Sequence, residues 1–169
     1  SIFLTNHDMQ RTGSILGKNI AKEKIAATLL FTLPGTPFIY YGEEIGQFGD
    51  QTDPNVREPL DWYKSASGIG MTTMKGYGVG IKNTIANDGI SVEEQTGVSD
   101  SLLEYYKKLA AIRNSNKLLY TGTYELIGSP AETYAYKISD AAYNYTMYVI
   151  YNQAETAAEI EIVSDGTEE

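Results

Sequence analysis

Residues 2–41 follow a strand–helix–strand pattern, which limits the fold more than any other feature of the chain. Residues 2–5 are apolar or β-branched and end at an Asn-His-Asp trio at 6–8, which is typical of a buried strand whose carboxyl end opens to solvent. Apolar residues then recur at helical spacing over 18–33, where a Pro-Gly pair ends the run. A second short apolar run, at 38–41, predicts another buried strand. This order predicts a parallel βαβ unit.

The rest of the chain divides into a long loop, a helix and a set of strands. Residues 46–98 show no strong periodicity and far exceed the about 4–6 residues of an ordinary connection, so this loop is either functional or disordered. A capping box between Ser101 and Glu104 opens a helix that runs to about Ser115. One face of this helix carries Leu102, Tyr106, Leu109 and Ile112. From Lys117 the period changes to two. Strands are predicted at 123–127, 133–139, 145–151 and 157–163.

Composition and charge limit the partners of this chain. Its 169 residues are 42% hydrophobic and 21% charged, which is typical of a globular domain, and no apolar run is long enough to span a membrane. The formal net charge of −9 repels phosphate, so we expect neither nucleic acid nor a membrane surface as a partner. The absence of cysteine excludes disulfides and thiolate chemistry. An extracellular or cell-surface location is favoured over a cytoplasmic one, but the sequence does not decide between them.

His7 and Asp8 follow the first predicted strand directly. Ligands of α/β folds bind at the carboxyl ends of parallel strands, so an imidazole next to a carboxylate at this position indicates an active site. The alternative is a pair that only satisfies its own hydrogen bonds at the strand end.

Three motifs, in the same order along the chain, resemble signatures of the α-amylase family of glycoside hydrolases. Residues 3–8, Phe-Leu-Thr-Asn-His-Asp, resemble the end of the seventh barrel strand of that family. Residues 35–46, Gly-Thr-Pro-Phe-Ile-Tyr-Tyr-Gly-Glu-Glu-Ile-Gly, resemble the eighth strand and its exit. Residues 57–62, Arg-Glu-Pro-Leu-Asp-Trp, resemble a motif of the loop that follows. Residues 91–95 are similar to the approach to the eighth barrel helix.

The resemblance implies an α/β fold class in two parts. Residues 1–116 would be the incomplete C-terminal portion of a (β/α)8 TIM barrel, with a long active-site loop at 46–98. Residues 117–169 would be part of an antiparallel β-domain. Because the sequence enters directly as a strand and ends without a closing element, we expect that it is cut from a longer chain. Two strands of such a barrel leave open edges, so the isolated chain is expected to self-associate.

The resemblance also implies a mechanism, namely retaining hydrolysis of α-glucosidic bonds in starch or maltooligosaccharides. Asp8 matches the assisting carboxylate that stabilises the transition state, and His7 would donate a hydrogen bond to the same sugar. The family's Asp nucleophile and Glu acid/base lie upstream of residue 1, so the chain alone is expected to be inactive. Glu43 and Glu44 do not replace them, because adjacent strand residues point to opposite faces, and we interpret both as structural.

Asn6 and Arg11 are two of four candidates for substrate binding. Asn6 is expected mainly to orient the strand end. Arg11 follows the motif closely, and it either reaches an outer sugar or forms a surface salt bridge.

Arg57 and Trp62 are the other two candidates, both in the long loop. The Arg57 guanidinium either bonds sugar hydroxyls or pairs with Glu58 or Asp61 to order the loop. The Trp62 indole either stacks on a sugar or anchors a local core.

We expect no metal or other cofactor in this chain. Asp50, Asp53 and Asn55 lack the glycine and the terminal glutamate of a calcium loop. The glycine run at 76–80 does not follow a strand and open a helix, as a nucleotide-binding loop would. The resemblance allows calcium only in parts that precede residue 1.

Two other functions stay open from the sequence. One is a non-catalytic amylase-like module that binds carbohydrate or acts as a scaffold, although the presence of both His7 and Asp8 argues against it. The other is a related transglycosylase or trehalose synthase, since the exclusion of water decides whether water or a sugar attacks the intermediate.

Overall fold

The computed structural model describes residues 1–50, 54–74 and 80–162 and divides into two compact units. The first unit is Ser1–Asn116, and the second begins at Lys117. In these described ranges, no helix is both long and apolar enough to cross a membrane.

In its described residues, the first unit contains a pair of parallel strands and four helices. Strand β1 pairs with β2 in parallel, with Ile2 opposite Pro37 and Phe3 opposite Phe38, which confirms the predicted βαβ unit. Two 3-10 turns and a short helix lie within the long stretch between β2 and the last helix. The elements are β1 (Ile2–Phe3), α1 (Thr12–Ile15), α2 (Ile20–Thr32), β2 (Pro37–Phe38), the 3-10 turns Glu43–Ile45 and Asn55–Arg57, α3 (Val92–Gln95) and α4 (Leu102–Ser115).

The side chains of the residues just before their first turns cap both long helices. Asn19 Oδ1 accepts a hydrogen bond from Lys22 N at 3.1 Å, and Ser101 Oγ accepts one from Glu104 N at 3.3 Å. The predicted capping box at α4 is only half formed. The Glu104 carboxylate accepts a bond from Gly97 N and pairs with a lysine, instead of reaching back to the amide of Ser101.

Helices α2 and α4 pack on each other to form the core of this unit. The buried residues of this core are Ala27, Leu30, Phe31, Leu102, Tyr106 and Leu109. The prediction that Ile112 belongs to this face is wrong, because its side chain is 45% exposed. Arg113 is buried instead, and its guanidinium donates to the carbonyls of Phe31 and Gly35.

The predicted strands at 2–5 and 38–41 are shorter and less buried than expected. Each strand has two residues, and the side chains of Phe3 and Phe38 are 51% and 57% exposed. Ile2 and Leu4 pack against the α2–α4 core, so one face of the strand pair is covered. The strands are apolar on both faces, as in a sheet that is buried on both sides, but this two-stranded sheet buries only one face.

Up to residue 162, the second unit consists of a short helix and a three-stranded antiparallel sheet in the order β3-β4-β5. Its elements are α5 (Leu118–Thr121), β3 (Thr123–Ile127), β4 (Thr133–Ser139) and β5 (Met147–Asn152). The bounds of β3 and β4 are as predicted, and β5 overlaps the prediction. The fourth predicted strand is wrong over 157–162, which pair with no other strand, and Val163 lies outside the described residues. The core comprises Leu118, Leu119, Tyr136, Ile138 and Val149.

A buried carboxyl in α2 makes the stability of the first unit depend on pH. Glu23 is 3% exposed, and burial raises the pKa of its carboxyl from about 4.5 to about 7. Because the folded pKa lies above the unfolded one, the carboxyl favours folding below pH about 4.5, and this advantage is lost as the pH rises through 7. We predict that Glu23→Gln changes the free energy of unfolding more favourably at pH 8 than at pH 4. The difference between its effects at the two pH values is about 3 kcal/mol.

Urea unfolding of the wild type and Glu23→Gln at both pH values measures this difference. Glu155→Gln, which changes an exposed carboxyl, is the matched control and should leave the pH dependence as it is. Equal pH dependence in the wild type and in Glu23→Gln would contradict the prediction.

The exposed aromatic side chains of β1 and β2 predict self-association of the isolated chain. Phe3, Phe38 and Ile39 line one open pocket of ≈ 320 Å³ and are each about half exposed. We expect sedimentation velocity to show a mass that rises with concentration, and Phe3→Ser/Phe38→Ser to shift the chain toward monomer. Ile69→Ser, which removes a 94% exposed side chain in the loop, is the control. A wild type that sediments as monomer at every concentration would refute this expectation.

Candidate active site

Glu43 joins the carboxyl ends of the two parallel strands. Its Oε1 accepts bonds from Thr5 N at 3.1 Å, Thr5 Oγ1 at 2.6 Å and Thr12 Oγ1 at 3.1 Å, while Oε2 accepts one from Tyr40 N at 3.2 Å. The side chain is 3% exposed, and burial raises its pKa, although these hydrogen bonds offset part of the effect. Glu43 is thus committed to holding the strand ends.

The structural interpretation of Glu43 and Glu44 stands, but the predicted reason was wrong. The two residues lie in a 3-10 turn and not in an extended strand, so alternation of faces does not apply to them. Each carboxylate is instead held by backbone amides, and Glu44 Oε2 accepts from Gly42 N at 2.7 Å. Gly42 adopts a φ of 90°, which favours glycine at the start of this turn.

A tight turn after β1 presents His7 and Asp8. Asn6 Oδ1 accepts from Asp8 N at 2.9 Å, and Asn6 O accepts from Met9 N at 3.2 Å, so Asn6 orients this turn through its own side chain. The side chains of His7 and Asp8 are 62% and 67% exposed, and His7 Nε2 lies 3.2 Å from Asp8 Oδ2. The imidazole and the carboxylate therefore lie together at the surface.

Arg57 contacts Asp8 from the long loop. Its Nη2 donates to Asp8 Oδ1 at 3.0 Å, and its Nε donates to His7 O at 3.1 Å. Asp8 therefore lies between an imidazole and a guanidinium, one at each carboxylate oxygen. The suggested loop partner Glu58 receives other donors, and Asp61 Oδ1 has no hydrogen-bond partner among the described residues.

Arg11 is fully buried, which contradicts both of its predicted roles. Its guanidinium carbon lies 4.7 Å and 4.8 Å from the ring centroids of Tyr40 and Tyr41, and Nη1 donates to Tyr41 O at 2.7 Å. The side chain is 0% exposed, so it neither reaches an outer sugar nor forms a surface salt bridge. The aromatic pair that follows β2 provides the buried site, and residue spacing does not reveal it.

Trp62 is 49% exposed, so it does not anchor a local core. The backbone beside it is fixed, because Asp61 O accepts from Val92 N at 2.9 Å and Trp62 O accepts from Glu93 N at 3.0 Å. Asp61 itself is 2% exposed, and burial raises the pKa of its carboxyl to about 6. The indole is thus presented to solvent from an ordered segment.

Glu58 is a site residue that sequence reasoning missed. It is 0% exposed and accepts hydrogen bonds from Lys82 N at 2.8 Å, Asn83 N at 2.8 Å and Asn83 Nδ2 at 3.0 Å. These bonds tie the described segment after residue 80 to the turn that carries Arg57. The sequence offered one signal for this role: Glu58 lies in a glycine-rich loop, where a carboxylate can accept hydrogen bonds from backbone amides.

The described residues contain no group of three or more His, Asp or Glu side chains that could hold a metal ion. Asp53, one of the three residues considered for calcium, lies outside the described residues. So does the glycine run at 76–80, except for Gly80.

Residues 1–122 match the family model of the alpha-amylase catalytic domain, which covers both strand ends and the loop that carries Arg57. The chain belongs to the α-amylase family. The members that it resembles are glycoside hydrolases and related glucan-transferring enzymes.

Individual relatives match most of this chain. It is 36% identical over 165 residues to alpha-amylase SusG of Bacteroides thetaiotaomicron, covering 93% of this chain and 23% of that protein. It is 35% identical over 129 residues to the 4-alpha-glucanotransferase of Thermotoga neapolitana, covering 74% of this chain and 28% of that protein. The crystal structure of the alpha-amylase from H. orenii matches with a TM-score of 0.76 at 40% identity, covering 89% of this chain and 29% of that chain. The chain thus spans under a third of each relative.

The Glu58 contacts predict which part of the loop depends on this carboxylate. In Glu58→Gln, one acceptor oxygen is replaced by an NH₂ group that faces N–H donors, so either the bond from Asn83 N or the bonds from Lys82 N and Asn83 Nδ2 are lost. The bonds to the remaining oxygen are weakened, because the acceptor is no longer charged. We expect hydrogen exchange at these two amides to accelerate by roughly tenfold or more. Glu104→Gln, which loses the acceptor for Gly97 N, is the control and should leave both amides unchanged. Unchanged exchange in Glu58→Gln would show that other contacts hold the segment.

Proposed function

We propose that this chain is the C-terminal part of a longer retaining glycoside hydrolase that cleaves α-glucosidic bonds in starch or maltooligosaccharides. Two facts support the longer enzyme: the chain spans 23% of the relative named alpha-amylase, and Glu43 and Glu44 are already engaged by backbone amides. In this proposal the nucleophile and the general acid come from other parts of the protein. The observation that carries the proposal is the exposed Asp8 carboxylate, paired with both His7 and Arg57.

Asp8 would be the assisting carboxylate. It is 67% exposed, and each of its oxygens faces one donor, so sugar hydroxyls can add to or replace these contacts when a glucan binds. Hydrogen bonds from sugar hydroxyls that strengthen as the ring becomes oxocarbenium-like lower the barrier more than they favour the bound substrate.

His7 would bind the same sugar as Asp8. An imidazole donates a hydrogen bond in both its neutral and its charged form, so the role requires no unusual ionisation. Asn6 supports both residues by fixing the turn through its bond to Asp8 N.

Arg57 and Trp62 would form one wall of the binding cleft. The Arg57 side chain is 42% exposed and touches Asp8, so a hydroxyl that binds Asp8 comes within reach of the guanidinium. About half of the Trp62 surface is exposed on an ordered segment, which suits stacking on a sugar face.

Transfer of the glucan to a second sugar is the alternative. It is favoured by the 35% identity to a relative named 4-alpha-glucanotransferase. The same Asp8 and His7 would serve, because hydrolysis and transfer differ in whether water or a sugar attacks the intermediate.

Replacement of Asp8 tests the proposal in the longer protein. Asp8→Asn keeps the shape of the side chain but removes its charge, and we expect kcat/KM for reducing-sugar release from starch to fall about 10²- to 10³-fold. Asp100→Asn, which changes a 97% exposed carboxylate paired with Lys24, should retain full activity.

The alternatives give different results in the same assay. A wild-type protein that binds starch but releases no sugar would overturn the proposed enzyme in favour of a binding module. A protein that lengthens maltooligosaccharides, as chromatography of the products would show, would indicate transfer. Full activity in Asp8→Asn would remove Asp8 from the mechanism.

A further inference from the structure

The turn that carries Arg57 is held by the side chains of two consecutive tyrosines. Tyr40 Oη donates to Val56 O at 3.0 Å, and Tyr41 Oη donates to Glu58 O at 2.8 Å. The two accepting carbonyls belong to the residues immediately before and after Arg57. The backbone of Arg57 is therefore fastened on both sides by residues that follow β2.

The two tyrosines are themselves fixed by a buried framework. The Arg11 guanidinium stacks against both rings and donates to Tyr41 O, and Glu43 accepts from Tyr40 N. Gln47 adds a third support, since its Nε2 donates to Pro59 O at 2.9 Å. This framework connects the carboxyl ends of both strands to the turn.

We propose that Tyr40 and Tyr41 are positioning residues, whose hydroxyls hold the Val56–Glu58 segment so that Arg57 meets Asp8 and the carbonyl of His7. The inference rests on the proposed function and extends it to two residues that need not touch the sugar. In this arrangement the tyrosine hydroxyls act on Asp8 only through Arg57.

The ionisation and packing of the tyrosines fit this role. Burial raises the pKa of Tyr40 above its ordinary value, so its hydroxyl keeps its proton and remains a donor over the working pH range. The guanidinium of Arg11 stacks on the faces of both rings, and a phenylalanine ring preserves this stacking. Tyr→Phe substitutions should therefore remove the two hydrogen bonds and leave the buried framework in place.

The test combines the Tyr→Phe substitutions with a change of Arg57 in the longer protein. We expect Tyr40→Phe/Tyr41→Phe to lower kcat/KM on maltooligosaccharides by roughly 5- to 30-fold, as loss of two positioning hydrogen bonds predicts. In an Arg57→Ala background the same pair of substitutions should change kcat/KM less than about twofold, because the group that they position is gone.

A third tyrosine is the matched control. Tyr105 also bonds through its hydroxyl, at 2.7 Å from Thr28 Oγ1, but between α2 and α4. Tyr105→Phe should lower the melting temperature without a change in kcat/KM. Equal losses of kcat/KM with and without Arg57, or an equal loss in Tyr105→Phe, would show that the tyrosines act only on stability and would overturn the inference.

A crystal structure of Tyr40→Phe/Tyr41→Phe separates this inference from the proposed function. The inference expects Arg57 to move away from Asp8 or to become disordered, whether or not the protein cleaves starch. Arg57 in its present position would overturn the inference even if Asp8→Asn were inactive. An inactive wild type with a displaced Arg57 in the variant would reject the hydrolase and retain the positioning role.

Discussion

The hydrogen bonds of one buried carboxylate, Glu43, are the interaction on which the candidate site depends. Four donors from Thr5, Thr12 and Tyr40 converge on its two oxygens. Transfer of a carboxylate out of water is costly, and several hydrogen bonds from fixed donors offset this cost. The donors belong to the segment that follows β1, the start of α1 and the segment that follows β2, so a single side chain aligns the segments that lead into the site.

Solvent exposure increases stepwise from this carboxylate to the surface of the candidate site. Glu43 is buried, the tyrosine hydroxyls are partly buried, and Asp8 is mostly exposed. Rigid, well-packed supports beneath exposed polar groups are what a binding site for a neutral, hydroxyl-rich ligand requires, because the groups must be accessible and still hold their geometry. Glu58 extends the same support to the long loop, where its carboxylate holds backbone amides after residue 80.

Local signals predicted the elements that depend on nearby residues. The cap at Ser101, the helical spacing over 18–33 and the alternation in β3 and β4 act over a few positions, and these elements lie at or near the predicted residues. Predictions failed where burial or strand pairing depends on residues far away in the sequence. Arg113 takes the buried place expected for Ile112 because carbonyls near the end of α2 accept from its guanidinium. Residues 157–162 alternate in polarity, but none of the described strands pairs with them.

The sequence by itself determined the order of the two long helices and of strands β1 to β5, the family motifs and the position of His7 and Asp8 after the first strand. Only the tertiary structure decided that Arg11 is buried while Arg57 reaches Asp8, although both are arginines close to family motifs. The physical reason is that burial and pairing depend on contacts across the fold. Arg11 finds its acceptor 30 residues away and Arg57 finds Asp8 at a separation of 49 residues, distances over which no local pattern specifies a contact.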